Sequence, residues 1–186
     1  ANCCNTNAES IAMVNYLCND YGFDTISGGS IIAFAMELYQ EGIITREDTG
    51  GVDLTWGNHR AIVEMAEKIV KREGFGEVLA DGVSAAAKKI GKSAEQYAVH
   101  VGGQEPGMHD PKASFFGERM TMAMYHMDAT PGRHTTGFGP SQFIEFASSA
   151  AGLCMHGSLA GNPDYFVTGF LKAVTGWDRT AEEIKE

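Results

Sequence analysis

Asn15-Tyr16-Leu17-Cys18-Asn19-Asp20-Tyr21-Gly22-Phe23-Asp24-Thr25-Ile26-Ser27 is the stretch whose reading decides the fold. It reads as the end of one helix, a glycine suited to a left-handed terminator, and a run of capping residues that opens a second helix. Upstream, Ile11, Val14, Leu17 and Cys18 recur at helical spacing behind Asn5, Thr6 or Asn7 as N-cap, which predicts a helix from Ala8 to Asp20. Downstream, Ile31, Ile32, Phe34, Ala35, Met36, Leu38 and Tyr39 are apolar on most sides of a helix predicted from Ser27 to Gln40, with Gly42 as its stop. A helix apolar on most sides belongs at the centre of a core.

The same punctuation continues along the chain. A third helix is expected from near Asn58, with Ala61, Ile62, Met65, Ala66, Ile69 and Val70 on one stripe and Gly74 as terminator. A fourth is expected from Gly76 to Ile90, ended by Gly91. Tyr97 to Val101 alternates weakly, as one short strand would. Phe115 to Met127, Ser141 to Leu159, Pro163 to Thr175 and a turn from Ala181 complete the helical readings. The fold class expected is therefore all-α, two packed bundle-like halves. The breaker-rich loop from Gly102 to Lys112 places their junction between residues 101 and 102, giving domains 1–101 and 102–186.

Composition narrows the function. Fourteen Lys and Arg against 24 Asp and Glu leave a net charge of −10 over 186 residues, with no basic cluster, which argues against nucleic acid as partner. The apolar runs fall short of the ~18 residues of a membrane span, so no membrane association is expected. Four cysteines, Cys3, Cys4, Cys18 and Cys154, are too few and too irregular for a secreted disulfide scaffold and fit a reducing, cytoplasmic setting. The opening Ala1-Asn2-Cys3-Cys4 has neither Met nor signal-peptide pattern and is read as the result of truncation.

No Walker loop, HExxH, GxSxG or CxxC is present, so candidate chemistry lies in loop-and-helix patterns. The segment from Asn19 to Ser27 can face an anion with backbone amides and side chains, or can simply cap a helix. Ser149 to Met155 repeats its polar-x-x-Gly-apolar-x spacing, with Cys154 where Asp24 stands in the first copy. Cys154 is either a small buried hydrophobe or a ligand. In the loop Pro131 to Gly137, His134 is a candidate acid or base as well as an ordinary capping imidazole. His59, His100, His126 and His156 lack the mutual spacing of a zinc site and are read as structural.

Taken in order, these segments resemble the aldehyde ferredoxin oxidoreductase family of tungsten- or molybdenum-pterin enzymes. Asn19 to Asp24 is similar to the family's DxxGLD pterin motif, and Ser149 to Cys154 to its DxxGLC motif. Arg72-Glu73-Gly74-Phe75-Gly76, Leu79-Ala80-Asp81-Gly82-Val83 and Asp110-Pro111-Lys112 follow family landmarks, the last usually Asp-Pro-Arg. Asn19 and Ser149 depart from the family, standing where it has aspartates.

The resemblance implies a tungsten (or molybdenum) bis-pterin and a 4Fe-4S cluster in a longer parent. Asn19, Gly22, Phe23, Asp24, Thr25, Asp110, Ser149, Gly152 and Leu153 would then bind the pterin, Cys154 would ligate cluster iron, and His134 would move a proton as an aldehyde hydrate is oxidised. The partners implied are ferredoxin, an aldehyde or small carbonyl substrate and an N-terminal pterin-binding domain, with a homodimer left open. That domain, a CxxCxxxC motif and a metal-proximal glutamate belong upstream of Ala1, and a final segment beyond Glu186, so the chain is expected to be a fragment. The alternatives are an aromatic acyl-CoA reductase of the same fold, where Arg133 could meet an anionic group, and a non-catalytic helical module without cofactor.

Overall fold

The computed structural model describes residues 2–107, 152 and 163–185. The chain forms two compact units, Ala1–Ser114 and Phe115–Glu186. The first contains α1 (Ala8–Tyr21), α2 (Thr25–Gln40), α3 (His59–Lys71), α4 (Phe75–Leu79), α5 (Val83–Ile90) and a 3-10 turn, Ala94–Tyr97. The fold is all-α, and the described residues contain no sheet; the expected strand at Tyr97 to Val101 is replaced by that turn and an isolated Val101–Gln104 bridge.

Caps set the helix starts. Asn7 Oδ1 accepts from Ser10 N at 2.8 Å, Asp24 Oδ1 from Ser27 N at 2.7 Å and Asn58 Oδ1 from Ala61 N at 3.3 Å, each closing one amide that a first turn leaves unpaired. The core gathers on α2, where Ile31, Ile32, Phe34, Ala35, Met36 and Leu38 are all buried. This helix meets α1, α3, α5 and the 3-10 turn. The α3 stripe Ala61, Ile62, Met65, Ala66 and Ile69 packs into the same core, as does α5 through Val83, Ala86 and Ala87. On α1 the buried face is narrower than its spacing suggests: Leu17 and Cys18 are buried and Val14 packs against the core, whereas Ile11 is 49% exposed.

Two expectations need correction. Gly74 does not end α3; Arg72 does, at φ 55° and ψ 46°. This is a costly region for a side-chain-bearing residue, and the Arg72 guanidinium is held there by Glu77 and Asp81. The single helix expected from Gly76 to Ile90 is two, because Gly82 at φ 91° and ψ 165° turns the chain between α4 and α5. α4 lies so close to α3 that a Cβ on Gly76 would overlap the Lys68 carbonyl.

In the second unit, α6 (Pro163–Thr175) opens on proline, which suits a first helical position because the missing N–H would be unpaired there anyway. α7 (Ala181–Lys185) opens on a reciprocal cap: Thr180 N donates to Glu183 Oε2 at 2.9 Å, and Glu183 N donates to Thr180 Oγ1 at 3.2 Å. The readings Phe115 to Met127 and Ser141 to Leu159 lie outside the described residues.

Candidate functional site

The corner between α1 and α2 carries five of the candidate residues. Gly22 ends α1 in the left-handed conformation, φ 69° and ψ 33°, and Phe23 N donates to Cys18 O at 2.7 Å, satisfying a carbonyl that the helix end leaves over. The tight turn puts Asp24 in position to cap α2 after a connection of only Gly22 and Phe23. Capping and ligand-facing roles are compatible here: Asn19, Gly22, Asp24 and Thr25 are all exposed, and nothing lies within 4 Å of a Cβ built on Gly22.

Phe23 is the corner's anchor. It is half-buried against the core, and its ring sits 3.4 Å from where a Gly28 Cβ would be, with Cys18 Sγ at 3.3 Å from the same point. Gly28 therefore lets α2 pass close to both side chains. Gly28 is not among the residues that the motifs single out, although the pair Gly28-Gly29 inside an otherwise strongly apolar helix is the signal of such an approach.

Asn19, on the last turn of α1, donates from Nδ2 to Asn15 O at 2.7 Å. Its amide oxygen is a neutral acceptor where a carboxylate would have been an anionic one. The corner thus presents amide, carboxylate and hydroxyl groups beside the N-terminus of a 16-residue helix. That donor and acceptor set fits the aminopyrimidinone edge of a pterin cofactor.

The first unit holds three free cysteines, of which Cys4 is exposed. Cys3 and Cys18 are buried free thiols. Burial pushes Cys3 up to about 11, and burial together with the nearby Asp24 charge raises Cys18, so both stay protonated near neutrality. Among the described residues no group of three or more His, Cys, Asp or Glu is placed to hold a metal ion. A separate cleft of about 320 Å³, lined by Ser30, Glu37, Trp56 and Tyr97 among others, contains none of the corner residues.

Gly152, from the second motif copy, is exposed in a turn at φ 72°, close to the 69° of Gly22. Asp110, His134, Ser149, Leu153 and Cys154 lie outside the described residues. The structure brings Asn19, Gly22, Phe23, Asp24 and Thr25 together and, of the rest of the set, describes only Gly152.

A tungsten-containing aldehyde ferredoxin oxidoreductase from Pyrococcus horikoshii is 40% identical over 108 residues, 56% of this chain and 18% of that protein. Its counterpart in Pyrococcus furiosus is 39% identical over 106 residues, 56% of this chain and 17% of that protein. A protein described as an aliphatic sulfonate oxidoreductase, WOR-like subunit, also from Pyrococcus furiosus, is 44% identical over 105 residues, 54% of this chain and 17% of that protein. The matched part of the chain thus spans under a fifth of these relatives' length. The family described as "Aldehyde ferredoxin oxidoreductase, domains 2 & 3" matches residues 1–186, and the chain belongs to that family.

Proposed function

We propose that this chain forms the helical, pterin-facing part of a cytoplasmic tungsten oxidoreductase that oxidises an aldehyde to a carboxylic acid and passes the electrons through a 4Fe-4S cluster to ferredoxin. The observation that carries the proposal is the α1–α2 corner, where Asn19, Asp24 and Thr25 stand exposed around a glycine with open space above it, in the order of the family's first pterin motif.

A bound tungsten-pterin would supply the two-electron redox chemistry; the aldehyde and water together yield the acid, two protons and two electrons. The chain's own residues would do the rest. The corner would orient the pterin by hydrogen bonds from Asn19 and to Asp24, with the Thr25 hydroxyl beside them. Asp110, Ser149, Gly152 and Leu153 would complete that contact. Cys154 would tie the cluster to the protein through its thiolate, and His134 would accept a proton on an imidazole nitrogen.

The 44% identity to a protein described as acting on aliphatic sulfonates favours one second reading, the same machinery directed at a sulfonate. The test is metal analysis of the longer natural protein, purified anaerobically, followed by ferredoxin reduction with aldehydes and with aliphatic sulfonates. Tungsten with about four irons per chain, and a visible cluster absorption that Cys154→Ala bleaches, is the expected result; metal-free protein overturns the proposal. Electrons from sulfonates alone would select the second reading.

A further inference from the structure

The separate cleft of the first unit runs along one face of α2. Ser30, Ala33, Phe34 and Glu37 line it at the i, i+3, i+4 and i+7 spacing that shares a helix face. Tyr97 of the 3-10 turn and Val83 at the start of α5 add to its walls, and Val99, at 68% exposure, marks its open side. A volume of about 320 Å³ is enough for a small organic molecule.

The two ends of the cleft differ chemically. At one, Asn2 Nδ2 donates to Ser30 Oγ at 3.3 Å, a neutral pair satisfied within itself. At the other, two helical turns on and about 10 Å away along the axis, stands Glu37. Trp56 is fixed at the same end, its Nε1 donating at 2.6 Å to Oε1 of Gln40, less than one turn from Glu37. With that N–H engaged, the indole has its ring left to offer a ligand.

Glu37 is half-buried, and among the described residues its carboxylate has no hydrogen bond or ion pair. None of the described residues lining the cleft is Lys, Arg or His. A carboxylate partly withdrawn from water, near an aromatic ring and without a counter-charge, is a position that a cation would stabilise. The net charge of −10 draws cations toward the molecule as well.

We propose that this cleft binds a small organic ammonium ion with an apolar body. The ammonium group would sit between the Glu37 carboxylate and the Trp56 ring, and the apolar body would lie along Ala33, Phe34 and Tyr97. Glu37 repels an anion, and a bare metal ion would find a single carboxylate with no second charged ligand. The site shares no residue with the α1–α2 corner and does not depend on the pterin reading.

The test is calorimetric titration of the longer natural protein with hexylammonium chloride, with hexanol and hexanoate as neutral and anionic controls of the same length. The expected result is saturable binding of hexylammonium, about tenfold tighter than hexanol, and none of hexanoate. Glu37→Gln, similar in size and helix propensity, should weaken the ammonium by about tenfold. Trp56→Leu should weaken it about threefold. Hexanol should bind the Glu37→Gln protein as before, which reports that the cleft is still formed. Hexylammonium held equally well by Glu37→Gln would put the cation elsewhere and overturn the proposal. Hexanol bound as tightly as hexylammonium would leave only an apolar groove and overturn it too. So would the absence of any binding, as when another part of the longer protein fills the cleft.

Discussion

Gly22 and Gly76 both sit where one helix hands over to the next, and they are glycines for opposite reasons. Gly22, between α1 and α2, has a left-handed φ of 69° and nothing within 4 Å of a built Cβ. Gly76, in α4, has an ordinary helical backbone, but a Cβ there would overlap Lys68 and lie 2.6 Å from Ile69 N. The first corner is shaped by backbone conformation and leaves space outside it; the second is shaped by contact and leaves none. Open space above an ordered, polar corner is what a bound molecule needs, whereas close approach of two helices serves only the core.

The sharpest way to break this contrast is Gly76→Ala. Ala favours a helix, yet its methyl would have to push α4 off the α3 backbone, and overpacking of that kind costs about 3 kcal/mol. The expected outcome is a fall in thermal midpoint larger than that of Gly22→Ala, Asp24→Ala or Gly28→Ala. A stable Gly76→Ala protein would mean that α3 and α4 can separate freely.

At the open corner the stability cost should be smaller and the consequence for cofactor larger. Gly22→Ala strains a left-handed residue by about 1 kcal/mol, and Asp24→Ala removes the α2 cap for about 1 kcal/mol. If the corner faces a pterin, Asp24→Ala should lose tungsten out of proportion to that modest destabilisation. Tungsten retained in full, with the midpoint lowered as for any lost cap, would reduce Asp24 to its structural role.

Gly28→Ala separates conformation from contact within one helix. The new methyl would meet Cys18 Sγ at 3.3 Å and the Phe23 ring at 3.4 Å, side chains that can yield by a few tenths of an ångström. Against this stands a gain in helix propensity of about 1 kcal/mol. The net change expected in urea unfolding is near zero; a loss as large as that of Gly76→Ala would show the Phe23 anchor to be as unyielding as the α3–α4 contact.

These glycines also mark how far the fold is legible in the sequence. The α1–α2 corner can be read because its signals are local: Asn7, Gly22 and Asp24 act within a few residues of themselves, and the structure uses each as cap or terminator. The region from 72 to 105 departs from its sequence pattern where distant partners decide. Arg72 ends α3 with its side chain bonded to Glu77 and Asp81, and the break at Gly82 is completed by Glu105. No periodicity within one helix reveals a carboxylate arriving from 22 residues away. The weak alternation after Tyr97 suggests a strand, but among the described residues the only bridge there is Val101–Gln104. Of the site, the family order of motifs is legible from end to end, while geometry is described only for the first corner and Gly152.

The smallest effect belongs to the ion cluster that holds the contact-built corner on its outer side. Asp81 bonds Arg72 and, at 2.8 Å, Lys89, and these two partners lower its carboxyl from 3.8 to about 2. A carboxylate with a folded pKa below its unfolded value stabilises the fold at pH above the unfolded value, and loses that contribution as pH falls through the folded one. The gap in thermal midpoint between the natural protein and Asp81→Asn should therefore be constant above about pH 5 and close between about pH 4 and pH 2. Because the groups are exposed, 1 M salt should shrink the gap at neutral pH as well. A gap that persists at pH 2 would mean that Asp81 acts through backbone shape at the α4–α5 turn, leaving Arg72 to hold its left-handed conformation through Glu77.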